Sequence, residues 1–363
     1  MTPFNKNNEK VKKQVAIDDN TLNIMMVLVA TIVALLIMVT VYFIVVGVTA
    51  SPDSPIGGGS KPVSGEGSYP FKDESLTVNL SYDIEGAKRI SDIKSSNAIL
   101  VDVSNGNIVA YKGLGEIHPA SMTKVMTLIV VCENLKNADS LNDMVTVTAE
   151  HISNKTNDRK VSGYIGGPGY PAGEYSVKQL MYHLILNSDG VAALALADYI
   201  AGSEANFVKL MNEKAAELQL EKTNFVYCDG SNSIGHISTC RDMAKIMAYA
   251  MKNVKCAEIL TSYSYVENGV AECYHGLLVS LLHNDTPASK VSIRTADIIA
   301  GKTGWTDSID KGESGGCIVS YAKGKNGNNY IVVVAGAPGS SFTYEAAPNA
   351  VEDTVTILNN YVK

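Results

Sequence analysis

The sequence lacks any excess of positive charge, and its cysteines lack the spacing of a metal site. Its 363 residues carry 30 Lys and Arg against 37 Asp and Glu, for a formal net charge of −7 and an isoelectric point near 5.4. A nucleic-acid binder shows a basic patch or stripe, so no nucleic-acid partner is expected. The six cysteines include no paired Cys-x-x-Cys, so no metal site is predicted, and no cofactor is expected.

Charged side chains are also absent from Asn20 to Pro52, where Leu22–Val48 is dominated by Ile, Leu, Val, Met and Ala. About 20 apolar residues suffice to cross a bilayer. Four lysines precede the segment, and by the positive-inside rule they keep the N-terminus cytoplasmic: Lys6, Lys10, Lys12 and Lys13. We therefore predict a single-pass cell-membrane protein, with a cytoplasmic tail at 1–20, a transmembrane anchor at 21–49 and an extracellular remainder.

A cleaved signal peptide is the alternative, because Val48-Thr49-Ala50 resembles a small-residue cleavage site. The hydrophobic core of a signal peptide has only about 7–15 residues, so we favour the uncleaved anchor. Both interpretations place the bulk of the chain outside the cytoplasm. Residues 50–74, rich in Gly, Ser and Pro, predict a flexible linker. Residues 75–363 then form one folded domain.

Cysteines of an exported domain can form disulfides. Cys132 lies in an apolar helical stretch and Cys317 in an apolar strand, so buried free thiols are predicted for both. Cys228 and Cys240 flank a turn-rich loop and are the one pair considered for a bridge.

Hydrophobic periodicity predicts an α+β domain. Asn105-Gly106 is a two-residue hairpin signal between the β-prone stretches Asn97–Ser104 and Ile108–Tyr111. Residues 120–260 show mainly helical patterns, over 122–135, 176–202 and 204–219. The remaining predicted elements are strands at Asp297–Thr306, Cys317–Ala322 and Tyr330–Ala337, a turn at Asn326-Gly327, and a helix at Ala350–Tyr361. This order predicts an antiparallel sheet packed with helices, while the strand order within the sheet stays open.

The segment Ser121-Met122-Thr123-Lys124 begins a stretch with apolar residues at helical spacing. A serine and a lysine one turn apart share a helix face. Desolvation disfavours the ammonium form, so such a lysine can act as a neutral base that activates the serine. Ser-x-x-Lys also occurs at Ser91/Lys94, Ser308/Lys311 and Ser320/Lys323, where no buried helix follows.

Two further motifs follow in chain order. Asn187-Ser188-Asp189-Gly190 interrupts a helical pattern with a polar turn, and Lys302-Thr303-Gly304 ends an apolar segment before Trp305. Ser-x-x-Lys, a Ser-x-Asn-like triplet and Lys-Thr-Gly, in this order, are the signature of serine penicilloyl-recognising enzymes.

The chemistry of acyl transfer accounts for these residue types. Ser121 attacks an acyl carbon, Lys124 takes its proton, and Ser188 relays a proton to the leaving amine. For the substrate, Lys302 and Thr303 bind a carboxylate, and Gly304 lets its backbone lie along the strand. The backbone amides of Ser121 and Trp305 would form an oxyanion hole.

The sequence resembles the D-alanyl-D-alanine carboxypeptidases, the low-molecular-weight penicillin-binding proteins, over about residues 90–360. The segments that carry this resemblance are Ala98–Asp102, His118–Thr127, Ala197–Ser203, Thr223–Phe225 with Asp229-Gly230, Ser238–Ala244 and Gly301–Thr306. The resemblance implies a β-lactamase/transpeptidase-like fold and a peptidoglycan stem peptide ending in D-Ala-D-Ala as substrate. It also implies removal of the last D-alanine through an acyl-Ser121 intermediate, and acylation of Ser121 by penicillins.

Two departures from the family pattern stand out. The second motif of the family ends in an Asn whose amide binds substrate backbone, whereas Gly190 stands here. The chain is also expected to lack the C-terminal β-domain and amphipathic anchor helix of many relatives.

Two rival functions stay open. A serine β-lactamase of the commonest class needs a Glu-x-x-Leu-Asn loop, and the nearest glutamate, Glu221, has the wrong spacing. A non-catalytic penicillin-sensing or wall-binding protein is the other rival, which the Gly190 departure keeps open.

Overall fold

A computed structural model describes residues 77–153, 161, 163, 165, 171–267, 270–274, 292–306, 315–338 and 348–363. The strands of these residues are, in chain order, β1 Lys88–Arg89, β2 Asn97–Asp102, β3 Asn107–Lys112, β4 Glu116–Ile117, β5 Met144–Val147, β6 Gly173–Ser176, β7 Ser238–Thr239, β8 Ser264–Glu267, β9 Val270–Tyr274, β10 Ala296–Thr306, β11 Gly315–Gly324 and β12 Asn329–Ala337.

The α-helices of the described residues are α1 Lys124–Asn134, α2 Ala149–Ile152, α3 Val177–Leu186, α4 Gly190–Ala201, α5 Glu204–Glu217, α6 Cys240–Lys252, α7 Val254–Leu260 and α8 Pro348–Tyr361. Two short 3-10 helices lie at Ala120–Thr123 and Ala138–Asn142. The first of these contains the predicted nucleophile, and we call it the nucleophile turn.

The main sheet has six strands in the order β1-β3-β2-β12-β11-β10. All neighbours pair antiparallel except β1 and β3, which are parallel. The predicted α+β class with a mainly antiparallel sheet is therefore confirmed. The order places β10, which carries Lys302-Thr303-Gly304, at one edge of the sheet.

The predicted hairpin at Asn105-Gly106 is confirmed, since β2 and β3 pair on either side of it. Gly106 has φ +78°, a conformation that favours glycine. A side chain there would also place its Cβ 2.2 Å from the carbonyl oxygen of Asn79. The turn therefore requires glycine for two reasons: its positive φ, and the close approach of the backbone at Asn79.

Residues alternate between the two faces of the sheet, and helices cover both. Ile99 and Val333 belong to the larger apolar core with α1, α3, α4 and α6. Leu100 and Val332, their neighbours in sequence, belong to a second core with α8. Successive side chains of a strand point to opposite faces of the sheet, so strands with helices on both faces are buried on both sides. The predicted C-terminal helix is confirmed and covers the face opposite the large core.

The helical stretch predicted at 176–202 is two helices, α3 and α4, separated by residues 187–189. Ser176 caps α3 by accepting a hydrogen bond from the amide of Gln179, whose side chain in turn accepts from the amide of Ser176. Gly202, with φ +74°, ends α4. The polar turn between the helices is therefore built into the fold, and it carries Ser188.

The region 120–260, predicted as mainly helical, also contains strands. Within it β5 pairs with β6 as a separate two-stranded sheet, and just beyond it β8 pairs with β9 as another. β5 is exposed and buried in alternation, a pattern of only four residues that is too short to identify a strand on its own.

All six cysteines are free and buried. This confirms the buried thiols predicted for Cys132 and Cys317. The bridge considered between Cys228 and Cys240 is wrong, because both are free thiols within the apolar core. Cys132 instead faces Cys256, with 3.4 Å between the two sulfur atoms.

The predicted tail, anchor and linker at 1–74 lie outside the described residues. Within the part of the chain that the structure describes, no helix is long and apolar enough to cross a bilayer.

Candidate active site

The nucleophile turn leads directly into α1 and presents the first motif. Lys124, only 1% exposed, donates a 3.0 Å hydrogen bond from Nζ to the Oγ of Ser121. The same Nζ donates to the carbonyl oxygen of Asp229. The structure thus places hydroxyl and amine side by side, as the one-turn spacing predicts.

Of the other Ser-x-x-Lys segments, the two that the structure describes do not form such a pair. Lys94 forms a surface ion pair with Glu352, at 3.0 Å. Ser320 is buried in β11, where its hydroxyl donates to the carbonyl oxygen of Val332. Ser308 and Lys311 lie outside the described residues.

The second motif lies in the turn between α3 and α4. Ser188 has φ +55°, which is uncommon for a residue with a side chain. Asp189 is fully buried and caps α4, since one carboxylate oxygen accepts from the amides of Val191 and Ala192. Its other oxygen accepts from the amide of Ile165 at 2.9 Å. Asp189 therefore fixes the turn that presents Ser188.

Lys302 connects the second and third motifs. Its side chain is 2% exposed, and Nζ donates 2.8 Å hydrogen bonds to the Oγ of Ser188 and to the carbonyl oxygen of Thr303. Burial, with a further contribution from the charge of Lys124, holds the pKa of Lys302 well below its usual value. The buried side chain of Lys124 therefore lies close enough to Lys302 to disfavour the charged form of Lys302.

Two glycines allow the backbone around Ser121 to pack closely. A Cβ on Gly304 would lie 2.9 Å from the amide nitrogen of Ser121 and 2.7 Å from the sulfur of Cys317. A Cβ on Gly230, whose φ is +81°, would lie 2.0 Å from the carbonyl oxygen of Ala120. Each glycine therefore lets a neighbouring segment approach the nucleophile turn at van der Waals distance.

The end of β10 borders the site on the outer edge of the sheet. Thr303 and Trp305 are partly exposed there, and Trp305 follows the glycine that packs on Ser121. Among the described strands, β10 pairs only with β11, which leaves its other side unpaired. An unpaired edge of this kind can accept an extended peptide as an added strand.

Gly190 begins α4 and is buried, and its φ is not positive. The nearest side-chain amide in sequence belongs to Asn187, and its Nδ2 lies 3.2 Å from Nδ1 of His183. Burial lowers the pKa of that imidazole, although Asp189 opposes the shift. The Asn187 side chain is thus engaged with α3 and does not replace the missing family amide.

Three residues to which the sequence motifs give no role also contribute to this site: Asp229, Asp189 and His236. Asp229 supplies a backbone carbonyl, and no side-chain pattern reveals such a contact. Asp189 is recognisable as a helix N-cap, since an acidic residue there directly precedes the apolar pattern of α4. His236 lies 2.9 Å from the hydroxyl of Thr123 in the nucleophile turn.

A family model described as D-alanyl-D-alanine carboxypeptidase matches residues 84–339, which include all three motifs. The chain belongs to the D-alanyl-D-alanine carboxypeptidase family. It is 32% identical over 267 residues to the D-alanyl-D-alanine carboxypeptidase DacF of Bacillus subtilis, covering 70% of this chain and 60% of DacF. It is 40% identical over 149 residues to DacC of Escherichia coli, covering 40% of this chain and 36% of DacC.

Solved structures of penicillin-binding proteins share the fold of this carboxypeptidase-family chain. Penicillin-binding protein 5 of Haemophilus influenzae is 27% identical with a TM-score of 0.59, over 74% of this chain and 70% of that one. Penicillin-binding protein D2 of Listeria monocytogenes, in a cefotaxime-bound form, is 23% identical with a TM-score of 0.59, over 74% and 97% of the two chains. At that identity, the second likeness shows the fold alone.

Proposed function

We propose that this protein is a serine-type D-Ala-D-Ala carboxypeptidase that removes the terminal D-alanine from peptidoglycan stem peptides. The observation that carries the proposal is the 3.0 Å hydrogen bond between Lys124 Nζ and Ser121 Oγ, in a buried site that also contains the Lys302–Ser188 pair. Membership of the family supports the same conclusion. The role is trimming of the cell wall during peptidoglycan synthesis, with an effect on cell shape.

In the acylation step, Oγ of Ser121 attacks the carbonyl carbon of the penultimate D-alanine while the neutral amine of Lys124 takes the hydroxyl proton. Collapse of the tetrahedral intermediate breaks the peptide bond, and a proton passes through Ser188 to the leaving amine of D-alanine. The amides of Ser121 and Trp305 hold the developing oxyanion. Water then hydrolyses the acyl-Ser121 ester and regenerates the hydroxyl.

Lys302, Thr303 and the unpaired edge of β10 provide substrate recognition. The positive charge of Lys302 and the hydroxyl of Thr303 attract the terminal carboxylate. The absence of a side chain at Gly304 lets the peptide lie along the strand. β-Lactams resemble the D-Ala-D-Ala terminus, so they acylate Ser121 and act as inhibitors.

The rival functions have less support. Glu221, the nearest glutamate to the pattern of a deacylating loop, is exposed, and its amide donates to the carboxylate of Asp242. A β-lactamase role for it has no support from this arrangement. A non-catalytic penicillin sensor would not need Ser121, Lys124 and Ser188 together.

Purified protein incubated with a D-Ala-D-Ala peptide and, separately, with fluorescent penicillin tests the proposal. We expect free D-alanine and a stable adduct on Ser121. Ser121→Ala should abolish both while the protein stays folded, and Ser91→Ala, at an exposed Ser-x-x-Lys, should change neither. Rapid hydrolysis of penicillin without D-alanine release would indicate a β-lactamase. A penicillin adduct with neither penicillin hydrolysis nor D-alanine release would indicate a sensor.

We also propose that residues 21–49 anchor the protein in the cell membrane, with the catalytic domain extracellular. The uncharged length of Leu22–Val48 and the four lysines before it support this. A tether of about twenty residues reaches roughly 25 Å, so the site would work near the membrane surface. N-terminal sequencing of the native protein tests the anchor, because a mature chain beginning at Ser51 would show cleavage.

A further inference from the structure

His236 is a buried side chain outside the three motifs, and it contacts the nucleophile turn directly. It is 2% exposed and lies just before β7. Its Nδ1 accepts hydrogen bonds from the backbone amides of Val226, at 3.1 Å, and Tyr227, at 3.3 Å. Its Nε2 lies 2.9 Å from Oγ1 of Thr123.

These contacts fix the tautomer of the imidazole. A ring nitrogen that accepts from backbone amides carries no hydrogen, so in the neutral ring the proton is on Nε2. That nitrogen therefore donates to the hydroxyl of Thr123, which is fully buried. The contact is directional, since only the Nε2–H tautomer makes both sets of hydrogen bonds.

Thr123 lies between the two reacting side chains in sequence, two residues after Ser121 and one before Lys124. The segment 226–236, which holds His236, also provides the Asp229 carbonyl that accepts from Lys124. We call this segment the wall. On the other side of the turn, Nδ1 of His118 donates to the carbonyl oxygen of His236 at 3.3 Å. His236 thus joins the wall to the chain on both sides of Ser121.

We propose that His236 is a positioning residue, which holds the nucleophile turn in register with the wall through Thr123. This inference rests on the proposed function, because the geometry it maintains is that of Ser121 and Lys124 for acylation. Nucleophilic reactions depend strongly on alignment, and a shift of about 1 Å can cost roughly 100-fold in rate. The Asp229 carbonyl and the Ser121 hydroxyl both bind Lys124 Nζ, so a shift of turn against wall disturbs both contacts.

Two pairs of substitutions separate positioning from a structural role. His236→Gln places a donor near Nε2, whereas His236→Asn keeps an acceptor near Nδ1 for the wall amides and loses the donor. Thr123→Ser keeps the hydroxyl, whereas Thr123→Val removes it with little change of shape. For each variant, stopped-flow labelling with fluorescent penicillin gives the acylation rate constant and the dissociation constant separately, and calorimetry gives the melting temperature.

We expect His236→Asn and Thr123→Val to acylate about 10- to 100-fold more slowly, with dissociation constants within threefold of wild type. His236→Gln and Thr123→Ser should keep most of the rate. The double variant H236N/T123V should be no slower than the slower single variant, because both substitutions remove the same hydrogen bond.

A folded Thr123→Val variant that acylates within threefold of wild type would overturn the inference. A His236→Gln variant as slow as His236→Asn would overturn it too, since the contact with Thr123 would then not decide the rate. Nitrogen NMR of the imidazole in Ser121→Ala protein should show a proton on Nε2, and the opposite tautomer would also overturn it. Wild-type protein that is never labelled on Ser121 would overturn the proposed function, and this inference with it.

Discussion

The Nζ of Lys302 donates a 2.8 Å hydrogen bond to the hydroxyl of Ser188, although 114 residues separate the two in the chain. One residue comes from the edge strand of the main sheet and the other from a turn between two helices. The contact joins the sheet to the helical region across the site that contains Ser121. The geometry of the proposed active site therefore depends on the relative placement of these two parts.

Lys124→Arg should reduce acylation of Ser121 by several orders of magnitude. Arginine keeps the positive charge but does not give up its proton, so it cannot act as the base. The acylation rate with fluorescent penicillin measures this, with the exposed Lys94→Arg as the control. An arginine variant within tenfold of wild type would show that another group takes the proton.

Lys302→Met should slow acylation at least 100-fold and, at pH 6, raise the melting temperature. The pKa of Lys302 is lowered in the folded state, so between that value and the ordinary lysine pKa the unfolded chain binds more protons. The contribution of Lys302 to wild-type stability therefore rises with pH across this window, as the penalty for its buried charge disappears.

The difference in melting temperature between Lys302→Met and wild type should accordingly shrink as the pH rises towards 10. Calorimetry from pH 6 to pH 10 measures it, with Lys323→Met, an exposed lysine on β11, as the matched control. A difference that is constant or grows with pH would contradict the assignment of a buried charge to Lys302.

Gly304→Ala should lower the acylation rate by about 100-fold, because its Cβ would lie 2.9 Å from the amide nitrogen of Ser121. The strand or the nucleophile turn must shift to relieve this contact. Gly115→Ala is the matched control, since a Cβ there meets no atom within 4 Å. Equal penicillin labelling rates for the two variants would show that the close approach does not matter.

Gly190→Asn should restore the substrate amide contact of the family and raise acylation several-fold. One hydrogen bond contributes on the order of 1 kcal/mol. The backbone at Gly190 can carry a side chain, because its φ is not positive and it begins a helix. Gly190→Ala serves as the control, since it adds a Cβ without an amide.

Kinetics with a D-Ala-D-Ala peptide and with penicillin distinguish the outcomes at this position. A gain with Asn but not with Ala supports the missing contact. Loss of activity in both variants, with intact folding, would show that the site has adapted around glycine, and the assumed register of the second motif would then be wrong.

Local pattern was sufficient for several features of this protein. Ser121 and Lys124 are one turn apart, so their proximity follows from helical geometry alone. The β2–β3 hairpin follows from Asn105-Gly106, a turn whose backbone angles suit these residues. The three C-terminal strands and α8 follow from long apolar stretches. These features are encoded within a few residues of the chain, and the structure has them at nearly the predicted bounds.

Tertiary structure alone decided the rest. The strand order, the Lys302–Ser188 contact and the Asp229 carbonyl on Lys124 all join distant segments. The imidazole of His236 reaches Thr123 across 113 residues. The short strands β5, β6, β8 and β9 exist because of their partners, since four or five residues carry little pattern of their own. Contacts between distant segments produce no periodic pattern in the sequence. Only the tertiary structure therefore shows which side chains and backbone groups are in contact.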